Sequence, residues 1–183
     1  MAGQSKRLFI PVTASDQGFL DKRYKLVPRT LIFVRREGAF LLLLGSPQKR
    51  LWANRYNGIG GHIERGEDPL SAAERELQEE AGIQADLWLC GVVTIDVTPD
   101  AGVGLYVFTG EYSSGELKAS QEGTLNWVEP ASLAGLPLVE DLPILLTKIL
   151  SMQPGEPPFS ARYCYEGQRL VIHFSEMRSK TDP

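Results

Sequence analysis

The chain has 183 residues, 43% of them apolar, and a formal net charge of −4. That length suits one domain with a real hydrophobic core, and the acidic balance argues against a general nucleic-acid binder, which normally presents a basic face. A nucleotide substrate stays open, because a bound metal reverses the local charge.

In chain order, residues 1–26 read as an extension, with residues 8–12 as a short edge strand that Pro11 confines to the margin of a sheet. Two apolar runs, residues 30–34 and 39–44, bracket Arg35-Arg36-Glu37-Gly38 and predict a β-hairpin. Residues 45–55 are polar and basic with a tryptophan, so they read as a loop. Residues 56–63 are glycine-rich and strand-like. Residues 70–81 form the clearest helix: Asp68 is placed to cap it, Pro69 to open it and Gly82 to end it. Leu70, Ala73, Leu77 and Ala81 fall in one stripe at helical spacing.

Residues 87–97 and 103–112 predict two strands, 125–128 a short one, and 142–152 a second helix stopped by Pro154-Gly155. Residues 159–165 and 170–174 flank Glu166-Gly167-Gln168 as a C-terminal hairpin, and residues 179–183 form a loose tail. Interspersed strands and helices predict a mixed sheet with helices on its faces. Cys90 and Cys164 lack metal or disulfide spacing and are expected as buried free thiols. With no apolar run long enough to span a bilayer and no apolar signal core at the start, a cytoplasmic protein is expected, with no membrane and no nucleic-acid polymer as partner.

The chemistry sits in residues 58–83. Glu76, Glu79 and Glu80 share one helix face, where like charges repel unless a cation intervenes. Carboxylate oxygens are what hard Mg²⁺ prefers. Arg75, four residues before Glu79, is placed to orient it, and Glu67 precedes the helix and can turn back to the same face. Gly58, Gly60 and Gly61 permit a sharp loop that brings backbone close to a polyanion. The alternative for three glutamates alone is a solvated acidic helix face.

The pattern Gly61, five residues, Glu67, seven residues, then Arg75-Glu76-Leu77-Gln78-Glu79-Glu80-Ala81-Gly82-Ile83 resembles the complete box of the Nudix family. The resemblance covers roughly residues 26–150, and implies an α/β/α sandwich with a mixed sheet between helices. It implies a domain at 27–153, with a hairpin at 154–178 packed on it. It also implies Mg²⁺ as cofactor, with Mn²⁺ able to substitute, on Glu76, Glu79, Glu80, Glu67 and Gly61. Glu122, just ahead of Trp127, stands where many members add an acidic metal residue. Glu79, Glu76 and Arg75 would form the catalytic group, one glutamate helping to deprotonate the attacking water.

Within the family the chain is similar to the oxidised-purine nucleoside triphosphatases (8-oxo-dGTP diphosphatases). Asn57 and the acidic pair Glu140-Asp141 match residues that read the purine edge, and the C-terminal hairpin matches theirs; Gly60, in the loop that brings backbone close to a polyanion, is expected among the substrate-binding residues. One stacking tryptophan of the vertebrate-type enzyme is Leu138 here, which leaves Trp52 as the candidate stacking residue. Glu140-Asp141 reads equally as an acidic start to the second helix, and Trp52 as a core or surface residue. The expected activity is hydrolysis of a nucleoside triphosphate to monophosphate and pyrophosphate by a monomer or homodimer. Other diphosphate substrates, such as ADP-ribose or a dinucleotide polyphosphate, and a non-catalytic nucleotide sensor are the alternatives.

Overall fold

A computed structural model describes residues 22–118 and 121–175. The edge strand expected at residues 8–12 and the tail at 179–183 lie outside the described residues. The strands are β1 (Lys25–Arg36), β2 (Ala39–Gly45), β3 (Tyr56–Asn57), β4 (Ile83–Asp96), β5 (Ala101–Gly115), β6 (Gly123–Val128), β7 (Phe159–Glu166) and β8 (Arg169–Phe174). The α-helices are α1 (Pro69–Glu80) and α2 (Leu142–Leu150), and a short 3-10 helix covers Pro130–Gly135. One mixed sheet runs in the order β3-β2-β1-β5-β4-β7-β8, and β6 pairs antiparallel with β2.

The apolar run of β1 explains the layering. Thr30 to Val34 are all buried, as expected for a central strand covered on both faces. Leu31 and Phe33 face one way and pack in a cluster with Leu142, Leu145, Leu146 and Ile149 of α2. Ile32 and Val34 face the other way, against Ala73 and Leu77 of α1 and the adjoining Ala81. A period-two strand thus assigns one helix to each face, and the result is the expected α/β/α sandwich.

Local chemistry sets α1 as the sequence predicts. The Asp68 carboxylate accepts from the Leu70 and Ser71 amides at 2.9 and 3.1 Å, Pro69 opens the helix, and Gly82 follows it at φ +75°. One detail differs. Leu70, expected on the apolar stripe, is exposed, and Ala72 is buried in its stead. Ala72 and Ala73, small residues side by side, form the buried face at this end of the helix.

Several strands run longer than local pattern suggests. β1 begins at Lys25 although Lys25 to Pro28 are exposed, because β5 pairs with it in parallel from Lys25↔Ala101 to Arg35↔Glu111. β4 starts at Ile83, directly after α1. Cys90 is buried, but Cys164 is only half-buried on β7, contrary to the expectation for both thiols. The C-terminal hairpin joins the sheet: β7 pairs in parallel with β4 over Gly91↔Phe159 to Ile95↔Tyr163. No helix among the described residues is long and apolar enough to cross a membrane.

Leu77 is the main apolar anchor of α1, at 1% exposure. Leu77→Ala removes it and leaves a cavity, so a loss of about 2–5 kcal/mol in urea-unfolding stability is expected.

Candidate active site

The loop before α1 is built on β1. The Thr30 amide donates to the Gly61 carbonyl, Ile32 and Ile59 exchange both backbone bonds, and the Ile63 amide donates to Pro28. Residues 59–63 therefore zip along the free edge of β1. Gly60 holds φ +145°, and a side chain there would strike the Thr30 carbonyl. At Gly61 a Cβ would collide with the Glu76 carboxylate. Gly60 is required where the loop presses on β1, and Gly61 where backbone passes this close to a helix-borne acid.

Arg75 organises the acidic face. Its guanidinium donates to both oxygens of Glu67 at 2.6 and 3.0 Å, to Glu76 at 2.9 Å, to Glu79 at 3.1 Å and to the His62 carbonyl at 3.1 Å. Glu67 also accepts from the Glu64 amide at 3.0 Å. Hydrogen bonding to Glu67 raises the Arg75 pKa further, and the same bond holds the Glu67 carboxyl below its usual value. Glu67 is thus the clamp that fixes the arginine, and the arginine draws Glu76 and Glu79 to one side of α1.

Glu80 lies apart from this clamp and is half-buried. Its carboxylate accepts from the Gly60 amide at 3.4 Å. Burial pushes its carboxyl up to about 7; the Gly60 amide and Lys49 oppose the shift, while the charges of Glu76 and Glu122 add to it. Glu122 is close enough to repel Glu80, and Lys49 pairs with it at 2.6 Å. The site thus gathers Glu67, Glu76, Glu79, Glu80 and Glu122 against Arg75 and Lys49, an excess of acid over base that a cation would relieve. Hard oxygen donors with this excess suit a divalent cation of the Mg²⁺ class. As they stand, no three His, Cys, Asp or Glu side chains among the described residues converge into a ready cation cage. Arg75 holds Glu76 and Glu79, so side-chain rotation would be part of binding.

A cavity of about 520 Å³ adjoins this face. Gly60 and Glu80 line it, together with Trp52, Asn57, Glu140 and Asp141. Backbone bonds bring these distant residues together: the Tyr56 amide donates to Pro137 at 2.8 Å and the Val139 amide to Tyr56 at 3.0 Å, which sets the start of α2 beside β3. Arg55 Nη1 fastens the same loop through the Leu138 carbonyl at 3.0 Å. Asp141 takes the capping position of α2 but makes no side-chain cap bond. Its carboxyl is buried, and burial raises its pKa, against the pull of its own backbone amide and of Tyr163. Asp141 thus stands at the acidic start of α2, as the helix-start alternative has it, while its carboxyl also lines the cavity. Asn57 Oδ1 accepts from the Gly58 amide at 2.8 Å.

Trp52 is 46% exposed on the cavity rim and holds φ +59°, so it is no core residue. Leu138, by contrast, is buried in the α2-side core. Sequence reasoning did not single out Lys49, Arg55, Asp96, Tyr163 or Tyr165, all of which line the cavity. The only sequence signal for the two tyrosines is the resemblance of the hairpin as a whole.

A glycine loop against an acidic, arginine-clamped helix, beside a cavity, defines a metal-assisted hydrolase of phosphate anhydrides as the class. The NUDIX domain model matches residues 25–149, and the chain belongs to the Nudix family. It is a Nudix pyrophosphohydrolase; enzymes of this family use divalent metal and act on small nucleotide substrates. The chain is 26% identical to the mouse oxidized purine nucleoside triphosphate hydrolase over 141 residues, 73% of this chain and 85% of that one. The zebrafish protein of the same name is 30% identical over 102 residues, 55% of this chain and 64% of that one. Among solved structures, a MutT protein from Bacillus halodurans superposes with TM-score 0.67 at 22% identity, covering 80% of this chain and 97% of that one. A MutT protein from Methanosarcina mazei gives 0.58 at 27%, covering 73% and 99%.

The Glu80 shift gives a pH test on metal-free protein. Its folded pKa of about 7 exceeds the ordinary 4.5, so its contribution to stability is fully present below pH 4.5 and lost as pH rises through 7. In chelator, unfolding stability of the wild type relative to Glu80→Gln is expected to fall between pH 5 and 8. A flat difference would contradict the burial of this carboxyl.

Proposed function

We propose that this chain is a Mg²⁺-dependent pyrophosphohydrolase of purine nucleoside triphosphates, oxidised purines included, releasing monophosphate and pyrophosphate. One observation carries this reading: Glu80 of the acidic helix and Asn57, Glu140 and Asp141 line a single cavity. A volume of about 520 Å³ is in the range for one small ligand. Acid chemistry and heterocycle recognition thereby address the same molecule. The mouse and zebrafish relatives, named for oxidised purine nucleoside triphosphates, support the substrate class.

In this reading Glu76, Glu79 and Glu80 hold the metal, with Glu122, Glu67 and the Gly61 backbone beside them. Bound Mg²⁺ supplies Lewis acidity toward a phosphoryl oxygen, and Mn²⁺ substitutes for it. Water attacks phosphorus, a new P–O bond forms, and the bridging P–O bond breaks. A glutamate of the Glu76, Glu79 and Glu80 set accepts the water proton, directly or through a second water. Arg75 keeps the Glu76 and Glu79 carboxylates on one side of α1 and, with Glu67, holds the loop. Gly60 and Gly61 let the polyphosphate lie against backbone. Asn57, Glu140 and Asp141 meet the polar edge of the base, and Trp52 stacks on its face from the rim. The hairpin of β7 and β8 belongs to the same catalytic unit, because both strands supply cavity residues.

The test is a panel of canonical and oxidised nucleotides compared by kcat/KM, with pyrophosphate as the measured product. Purine triphosphates should lead it, and Glu79→Gln should lower kcat by roughly 10²-fold or more, in line with loss of a catalytic carboxylate. Full Mg²⁺-dependent turnover by both Glu79→Gln and Glu80→Gln would sink the mechanism. A panel led by ADP-ribose or a dinucleotide polyphosphate would sink the substrate assignment alone.

A further inference from the structure

Tyr163 is only 2% exposed, yet it lines the cavity. Its hydroxyl is sealed from solvent and, among the described residues, has no partner at hydrogen-bond geometry. Buried hydroxyls are almost always paired, so an orphan here asks for a state in which it pairs. The group it is placed to reach is the Asp141 carboxyl, to which it is electrostatically coupled. That carboxyl makes no helix-cap bond. β7 carries Tyr163 into place through the parallel pairing of Ile95 with Tyr163, far from Asp141 in sequence.

We propose that Tyr163 is a positioning residue for base selection: its O–H donates to one Asp141 oxygen and leaves the other to accept from a ring N–H of the substrate. This rests on the assignment of Asp141 to the base pocket. Donation from Tyr163 favours the ionised carboxylate, an acceptor, where burial alone favours the neutral acid, a donor. The class selected is therefore a heterocycle carrying a ring N–H next to a carbonyl, such as guanine or hypoxanthine, over one presenting a bare ring nitrogen, such as adenine. Tyr165 and Glu140 are the other titratable groups close to this pair. Arg29, Lys49, Arg55, Glu80 and Asp96 complete the charged lining of the cavity.

The experiment compares dGTP and dATP on the full chain with Mg²⁺, for wild type, Tyr163→Phe, Asp141→Asn and the double variant, between pH 5.5 and 9. Tyr163→Phe should raise KM for dGTP about tenfold, the scale of one buried hydrogen bond. KM for dATP should stay within about twofold, as should kcat for both, because the lost interaction acts on binding and not on the chemical step. The acid limb of the dGTP KM profile should move to higher pH. Added to Asp141→Asn, Tyr163→Phe should do nothing more, since it acts through that carboxyl. Equal effects on both nucleotides, an unmoved pH profile or additivity with Asp141→Asn would overturn the inference while the pocket stands. If Asp141→Asn and Asn57→Ala leave KM for both nucleotides unchanged, the pocket assignment itself fails, and this inference with it.

Discussion

The structure depends on one electrostatic conflict. Glu76, Glu79 and Glu80 crowd the last turn and a half of α1, where the helix dipole already disfavours negative charge. Arg75 settles part of it by binding Glu67, Glu76 and Glu79 together. Glu80 is left with a half-buried carboxyl that burial, helped by the charges of Glu76 and Glu122, pushes toward neutrality. A stability-optimised helix would place basic residues here, and the last turn of α1 has none; Lys118 approaches from outside to bind the Gln78 carbonyl at 2.6 Å. A local rule broken this thoroughly marks a functional site.

The rest of the fold holds that conflict in place. α1 can carry its acids only if Ala73 and Leu77 anchor it to the sheet. The loop of residues 59–63 lies close to Glu76 and Glu80 because it is bonded along β1. On the opposite side of the sheet, α2 seals the second core, and its start carries Glu140 and Asp141 to the cavity. The two faces of β1 therefore do different things. One presents the acids, and the other brings Glu140 and Asp141 to the cavity.

Much of this was legible in the sequence where the signal is local. Asp68, Pro69 and Gly82 fix the ends of α1, and the spacing of Gly61, Glu67, Arg75 and the three glutamates identifies the family before any coordinates. What was not legible depends on contacts between distant residues. Lys25 to Pro28 have no strand pattern of their own and become strand through β5. Leu70 falls on the predicted stripe, yet only packing decides that Ala72 is the buried residue. Trp52 is on the rim because residues 52 and 54 adopt left-handed backbone, which composition does not reveal. Tyr163 escapes notice because its meeting with Asp141 requires the pairing of β7 with β4.

The central claim is that a divalent cation resolves the crowding of acids on α1. Ligand that binds only the folded state raises its stability with concentration. The direct measurement is the melting temperature of the full chain against Mg²⁺ at pH 8, for wild type and for the combined Glu76→Gln, Glu79→Gln, Glu80→Gln variant. The account predicts a saturable rise in the wild type and none in the variant, whose metal-free protein melts no lower than the wild type. An equal rise in both, or no rise in the wild type, would contradict it.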